Sequence, residues 1–87
     1  MEFEWDEKKS RANKSKHGID FNTAAELWND PDRIEIQTNF TNENRNALIG
    51  KIGDKLWTAI FTLRMDAVRL ISVRRARKKE TQLYEQK

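Results

Sequence analysis

The sequence lacks cysteine altogether, and its 87 residues include only one histidine and one proline. Without cysteine, the chain cannot form disulfides or a thiolate metal site. No apolar run approaches the length of a transmembrane helix, and the first residues are charged, so we predict neither a membrane span nor a signal peptide. These absences lead us to expect a cytoplasmic protein that does not contact a membrane.

The positive charge of the chain is unevenly distributed, although the net charge is only +3. Cations are concentrated in residues 8–16 and 69–79, and the second segment has no acidic residue. Such segments on a chain of nearly balanced charge suggest an anionic partner, most often a nucleic acid. The alternative for either segment is a helix face that simply contacts solvent. A chain of this size accommodates one hydrophobic core, so we predict a single domain over residues 1–87.

The N-terminal half predicts a short edge strand followed by two helices. Residues 2–5 alternate between acidic and aromatic side chains, which suits a strand. A helix is predicted over 7–17, with Asp6 as its N-cap and Gly18 as the residue that ends it. A second helix is predicted over 21–28, and an aspartate again precedes it as the N-cap. The first helix is poor in apolar residues, so we expect it to lie on the surface and to be held by its flanks.

The C-terminal half predicts an antiparallel sheet in which each strand follows its neighbour in the chain. Gly53-Asp54 favours a type II′ hairpin turn. Asp66-Ala67 is the expected tip of the next hairpin, and Ser72 is the expected start of a final helix. We therefore predict an α+β fold in which two N-terminal helices pack on a four-stranded antiparallel meander, followed by a C-terminal helix. The predicted strands are 33–39, 45–52, 55–64 and 68–73, with a polar loop at 41–44.

Side-chain alternation divides the predicted sheet into two faces. The face expected to pack on the N-terminal helices carries Ile34, Ile36, Leu48, Ile52, Trp57, Ala59, Phe61, Leu63 and Leu70. The second face carries Arg45, Ala47, Ile49, Ile60, Thr62, Arg64, Arg69, Ile71 and Val73. Its apolar part is larger than a monomer normally leaves open. We therefore expect a covering helix or a protein partner on the second face.

The arginines of the second face predict an anion-binding site. The second hairpin is expected to place Arg64 directly opposite Arg69, where like charges are destabilising unless an anion lies between them. Arg45 falls at the same end of the sheet. Arg74 or Arg75 is expected at the start of the last helix, where backbone N–H groups add partial positive charge. Guanidinium groups suit bidentate recognition of phosphate, but the alternative is that the paired arginines point into solvent.

His17 is the only histidine, and Gly18 follows it at the predicted end of a helix. An imidazole changes charge near neutral pH, so this residue could be the acid or base of a nuclease. It could also simply complement the helix dipole at that end. The sequence leaves both roles open.

Four sequence elements together resemble the BrnT toxins of bacterial type II toxin–antitoxin pairs. They are W-D-x-x-K at 5–9, K-H-G-I at 16–19, R-x-x-x-I-G at 45–50 and I-S-x-R-x-A-x-x-x-E-x-x-x-Y at 71–84. They occur in the family's order and span nearly the whole chain, and their combination is far more specific than any one of them. Ser72, Arg74, Ala76, Glu80 and Tyr84 hold the last element.

The resemblance implies a RelE-like fold and a ribonuclease that stops translation. It implies cleavage without a metal or other cofactor, in which the ribose 2′-OH attacks the neighbouring phosphate and arginines stabilise the transition state. The sequence has no acidic cluster placed to hold Mg²⁺. The catalytic candidates are Arg64, Arg74, His17, Glu80 and Tyr84, of which the last two could equally orient an arginine. The RNA-binding candidates are Arg45, Arg69, Arg75 and Lys14.

The resemblance also implies neutralisation by a BrnA antitoxin with a ribbon–helix–helix domain. We expect this antitoxin to cover the second sheet face, and the toxin–antitoxin complex, rather than the free toxin, to bind operator DNA. The residues expected beneath it are Ile49, Ile60, Ile71, Arg45, Arg64 and Arg69. The rival interpretation is a non-catalytic module of the same fold that binds RNA or a protein.

Overall fold

The computed structural model describes residues 1–37 and 44–86. The predicted strand end at 38–39 and most of the predicted polar loop, 41–43, lie outside the described residues. None of the helices in the described ranges is both long and apolar enough to cross a bilayer. In chain order the elements are β1 (Glu2–Glu4), α1 (Glu7–His17), α2 (Phe21–Ala24), a 3₁₀ helix (Ala25–Asn29), β2 (Ile34–Gln37), β3 (Arg45–Ile52), β4 (Lys55–Arg64), β5 (Ala67–Arg75) and α3 (Lys78–Glu85).

The strands form one five-stranded mixed sheet in the order β1-β5-β4-β3-β2. The α+β class is confirmed, but the prediction of four strictly antiparallel strands was wrong. β1 runs parallel to β5 and pairs with Ala67–Arg69 at the sheet edge. The Phe3 ring anchors β1 because it packs edge-on against Trp28, with 5.1 Å between the ring centroids.

The two hairpins differ in how well the sequence predicted them. The β3–β4 turn lies at Gly53-Asp54 as predicted, and Gly53 has the positive φ of 63° that this turn requires. The β4–β5 turn instead lies at Met65-Asp66, so that Arg64 pairs with Ala67. A β-bulge next to Ile60 and Phe61 then adds one residue to β5 and shifts its register.

This register changes which side chains reach the core. The turn predicted at Asp66-Ala67 would have paired Phe61 with Ser72, but Phe61 pairs with Leu70. Val68 lies in the core, and so does Val73, which was wrongly predicted on the second face. Leu63, predicted in the core, is 61% exposed because it lies near the hairpin end. Ile34 and Ile36 pair with Ile49 and Ala47, so they lie on the second face and not on the core face. The buried apolar core is Ile19, Phe21, Ala24, Leu27, Leu48, Trp57, Ala59, Phe61, Val68, Leu70 and Val73.

The C-terminal helix begins later than predicted. Ser72 was expected to start it, but β5 continues through Arg75 and α3 starts at Lys78. Ser72 is instead paired with Ile60 inside the sheet. Arg74 and Arg75 are therefore strand residues, and neither lies at the helix start.

α1 is attached to the rest of the protein by polar contacts. Its predicted caps are present, since the Asp6 side chain accepts from two backbone N–H groups and Gly18 has a φ of 83°. Its buried residues are Ser10 and Asn13, and no apolar residue of this fully described helix is buried. Asn13 donates to the carbonyls of Ile19 and Val73 and accepts from the Val73 N–H. The Asn13 side chain therefore makes the two hydrogen bonds to Val73 that the backbone of a neighbouring strand would otherwise make.

We expect Asn13→Ala to lower the free energy of unfolding by roughly 2–4 kcal/mol, because it leaves buried backbone groups of Ile19 and Val73 without partners. Urea denaturation measures this change. Ser15→Ala on the exposed side of the same helix is the matched control and should change stability by less than about 0.5 kcal/mol. A loss below about 1 kcal/mol for Asn13→Ala would show that water satisfies these groups instead.

Candidate functional site

The candidate site lies on the sheet face that α3 partly covers. Directly paired residues project to the same face, so the register places Arg45, Thr62 and Arg69 in one row across three strands. The next row toward α3 holds Ala47, Ile60 and Ser72. The third row holds Ile49, Thr58 and Arg74, and Thr58 contacts α3. The result is a surface with cationic side chains at both ends and a small, partly apolar floor.

Arg74 is held rigidly at the α3 end of this surface. Its two terminal nitrogens donate to the two carboxylate oxygens of Glu80 over 2.7 and 2.8 Å. Glu80 also accepts from the Thr58 hydroxyl and from the backbone N–H of Arg77. Both members of the pair are about one-fifth exposed, so the guanidinium is fixed but remains open to the surface. Thr58 was not among the predicted site residues, because nothing local marks it as a contact of the helix.

The same carboxylate occupies the N-terminus of α3. The Arg74 hydrogen bond is the main cause that lowers the pKa of Glu80, from an ordinary 4.5 to about 2, against the effect of burial. That hydrogen bond also raises the pKa of Arg74. Glu80 is therefore a poor proton acceptor at neutral pH, and its carboxylate already fills the place predicted for an outside anion.

The lowered pKa of Glu80 predicts an acid-sensitive contribution to stability. A carboxyl whose pKa is lower in the folded state stabilises the fold above its unfolded pKa and stops doing so as the pH falls through the folded value. Between pH 4.5 and about 2, the protein should lose this contribution. After allowance for solvent screening it is on the order of 2 kcal/mol.

Urea denaturation at several pH values tests this expectation. Glu80→Gln should be less stable than the parent near neutral pH, and the difference should shrink as the pH falls toward 2. Glu35→Gln, an exposed carboxylate on β2, is the matched control. A difference between parent and Glu80→Gln that does not change with pH would contradict the assignment.

Tyr84 anchors the other end of α3. Its hydroxyl donates to Asp30 over 2.8 Å, and the same carboxylate oxygen accepts from the Lys51 backbone N–H. Burial, together with this hydrogen bond to Asp30, raises the pKa of Tyr84 to about 12. The phenol therefore stays protonated at neutral pH and fixes the helix against the end of β3.

Arg64 and Arg69 are not cross-strand neighbours, in contrast to the prediction. Arg69 pairs with Thr62, and both guanidiniums lie near the same Glu4 carboxylate, at 3.6 Å for Arg64 and 3.5 Å for Arg69. The negative charge that we expected between them is thus supplied in part by β1. Glu4 was not among the predicted site residues, because its approach depends on the parallel pairing of β1 with β5.

The structure does not bring the remaining predicted residues to this face. Arg75 lies on the core side of the sheet, with its guanidinium carbon 5.5 Å from the centre of the Trp57 ring. The Lys14 ammonium donates to the Gly18 carbonyl at the end of α1. His17 is the last residue of α1, which packs against β5 and α2.

The apolar strip predicted for the antitoxin is smaller than expected. Ile49 is fully buried in the row that α3 covers. Ile60 and Ile71 are half-buried, and they remain at the surface beside Arg69. The prediction that Ile49 lines an open surface was therefore wrong, because the chain's own C-terminal helix lies over that row.

A groove of about 460 Å³ lies apart from the arginines, between the end of the 3₁₀ helix and the β3–β4 turn. Within the described ranges, no three histidine, cysteine, aspartate or glutamate side chains are grouped so that they could hold a metal ion. The groove is lined by Glu26, Asn29, Asp30, Pro31, Asp32, Lys51, Ile52, Gly53 and Tyr84.

The fold and the site define a small α+β protein with an arginine-lined sheet face and a salt-bridged arginine at the base of its last helix. The family model described as "Ribonuclease toxin, BrnT, of type II toxin-antitoxin system" matches residues 5–80. The chain therefore belongs to the BrnT family of ribonuclease toxins, and the resemblance seen in the sequence is confirmed. No curated protein matches the chain.

Proposed function

We propose that this protein is an endoribonuclease that cleaves RNA in the cytoplasm without a metal ion and so inhibits translation. The observation that carries the proposal is the Arg74–Glu80 pair, because it holds a guanidinium in one orientation at an open surface. Donors fixed in advance stabilise a developing charge without having to reorganise during the reaction.

The reaction would break one P–O bond and form another. The 2′-oxygen attacks the adjacent phosphorus and loses its proton, and the 5′-oxygen leaves and gains one. The products are a 2′,3′-cyclic phosphate and a 5′-hydroxyl. Arg74 would stabilise the charge on the phosphorane oxygens. Glu80 serves as a positioning residue for Arg74, and we assign no side chain to the 2′ proton.

The row of Arg45, Thr62 and Arg69 would bind a second phosphate of the same strand. Arginine suits this role because it can contact phosphate oxygens in a bidentate manner. Along β4, Thr62 lies four residues beyond Thr58, which corresponds to roughly 14 Å. The partly apolar floor with Ile60 lies between the two rows and could contact a base.

Cleavage of a short RNA by the purified protein tests this proposal. In the presence of a chelator, the RNA should yield a 2′,3′-cyclic phosphate, and a single 2′-deoxy substitution should abolish cleavage at that position only. Dependence on added metal, or continued cleavage at the deoxy position, would overturn the mechanism.

A second candidate is a non-catalytic module that binds RNA or a protein. One observation favours it: Glu80 and Tyr84 are both held in states that do not accept a proton near neutral pH. Expression without a partner distinguishes the two. A ribonuclease should arrest growth within minutes and degrade bulk RNA, whereas a binding module should be tolerated.

We further propose that a BrnA-like antitoxin with a ribbon–helix–helix domain covers the same face and blocks RNA by occlusion. Ile60 and Ile71 offer apolar contact, and Arg45, Arg64 and Arg69 attract an acidic segment. The assembled complex would bind operator DNA. Hydrogen exchange with and without antitoxin should show protection at these five residues. Inhibition without such protection would mean that the antitoxin acts from another surface.

A further inference from the structure

The exposed side of α1 is a second cationic surface, distinct from the arginine rows. The helix holds five cations against one acidic residue, a net charge of +4 that exceeds the +3 of the entire chain. Lys8, Lys9, Arg11 and Lys16 are all exposed. Among the described residues, none of these four side chains has a hydrogen-bond or ion-pair partner.

The geometry of the helix arranges these four side chains as one surface. Ser10 and Asn13 define its buried side. Successive steps of about 100° place Lys8 opposite that side, with Arg11 on one flank and Lys9 and Lys16 on the other. The four cations thus cover roughly 160° of the circumference and about 12 Å of helix length.

Two features of α1 oppose its stability as a helix. Lys8 and Lys9 lie in the first turn, where the helix dipole repels positive charge. The buried side contributes polar contacts in place of apolar burial. A segment that departs from local stability rules in this way is a candidate for function rather than for structure alone.

We propose that the exposed side of α1 binds the phosphate backbone of a base-paired region of RNA. This inference rests on the proposed function, because it takes that RNA to be part of the molecule cleaved at Arg74. α1 contains no phenylalanine, tyrosine or tryptophan on which single-stranded bases could stack, and its one histidine, His17, is half-buried at the last position of the helix. A duplex instead presents closely spaced phosphates that lysine and arginine can contact without reading the sequence.

The position of α1 is compatible with one RNA reaching both surfaces. Asn13 joins α1 to the backbone of Val73, the residue between Ser72 and Arg74. The side chains of Ser72 and Arg74 project to the face that α3 partly covers. If the single-stranded part of an RNA lies on that face, its base-paired part would reach α1 by passing around the edge of β5.

Salt-dependent binding of a short blunt RNA duplex tests this inference. Each phosphate contact contributes a slope of about 0.9 to the decrease of log affinity with log salt concentration. Substituting all four cations by glutamine should reduce the slope by about 3.6, and Lys9→Gln with Lys16→Gln should reduce it by about half as much. Lys51→Gln with Lys55→Gln, at the β3–β4 hairpin, removes the same charge as this double variant and should leave the slope unchanged.

Three further measurements keep this test separate from the proposed ribonuclease activity. The variant with all four substitutions should melt at or slightly above the parent temperature, since Ser10 and Asn13 are intact and the repulsion between the first-turn lysines and the helix dipole is removed. A single-stranded oligonucleotide too short to reach α1 should be cleaved at the parental rate. With a substrate that carries a flanking duplex, KM should rise at least ten-fold while kcat stays the same.

If the variant with all four substitutions showed the same slope of log affinity against log salt as the parent, the inference would be overturned. The ribonuclease proposal would not be affected. The inference would also be overturned if the four substitutions reduced the slope for a DNA duplex but not for an RNA duplex. That result would mean that α1 binds operator DNA. Failure of the parent to cleave the short oligonucleotide would reject the ribonuclease proposal alone, since the duplex measurement does not depend on cleavage.

Discussion

Replacing Arg74 with alanine should lower RNA cleavage by on the order of 10²-fold or more, because it removes a fixed donor for the charge that develops on the phosphate. The substitution also leaves the Glu80 carboxylate without its bidentate partner. Single-turnover cleavage of a short RNA, together with a circular dichroism spectrum of each variant, measures the loss and checks the fold.

Two variants make the Arg74 result interpretable. Arg74→Lys keeps the positive charge but cannot form the bidentate contact with Glu80, so we expect most of the activity to be lost. Arg64→Ala removes a side chain that is 62% exposed and that, within residues 1–37 and 44–86, has Glu4 as its only acidic neighbour at ion-pair distance. A larger loss of cleavage activity for Arg64→Ala than for Arg74→Ala would indicate that the catalytic centre lies at the end of the β4–β5 hairpin.

Replacing Phe61 with alanine should lower the free energy of unfolding by roughly 3–5 kcal/mol, because a buried aromatic side chain is removed and a cavity remains. Phe61 is 1% exposed, and its ring meets Trp28 edge-on with 5.1 Å between centroids. Urea denaturation gives the change in stability, provided that the slope with denaturant stays constant.

Leu63→Ala is the matched control for Phe61→Ala. Both residues lie on β4 and alternate onto the same side of the strand, but Leu63 is largely exposed. We expect its substitution to change stability by less than about 0.5 kcal/mol. Similar losses for the two variants would mean that Leu63 is covered in solution, for example by a partner at the hairpin end.

The features that the sequence predicted correctly depend on neighbouring residues. The caps of α1 need only an aspartate before the helix and a glycine after it, and both are present. The β3–β4 hairpin needs only Gly53 at its first turn position, and the pairing of Leu48 with Ala59 follows from it. Such signals lie within a few residues and are readable without the tertiary structure.

The features that the sequence did not predict depend on distant parts of the chain. The parallel pairing of β1 brings Glu4 beside Arg69, although 65 positions separate these residues in the numbering. Asn13 is a polar residue in a polar helix, so nothing local distinguishes its role at Val73. Of the predicted site residues, Arg45, Arg69 and Arg74 do share one face. Arg75 does not join them, because proximity in a basic segment does not determine which side of a sheet a residue faces. Lys14 and His17 do not join them either, because they belong to α1, which packs against β5 and α2.

The bulge in β5 makes the length of this strand a condition for assembling the arginines on one face. Arg69 and Arg74 are an odd number of positions apart, so uninterrupted alternation would send their side chains to opposite faces. The one extra residue between them restores a common direction. Removing Ile71 would leave the two arginines four positions apart, so regular alternation would still place them on one face, whereas inserting one residue beside the retained bulge would turn one of them toward the core. The site thus depends on the number of residues in β5 as well as on their chemistry, and a one-residue insertion here would change the site in a way that no substitution does.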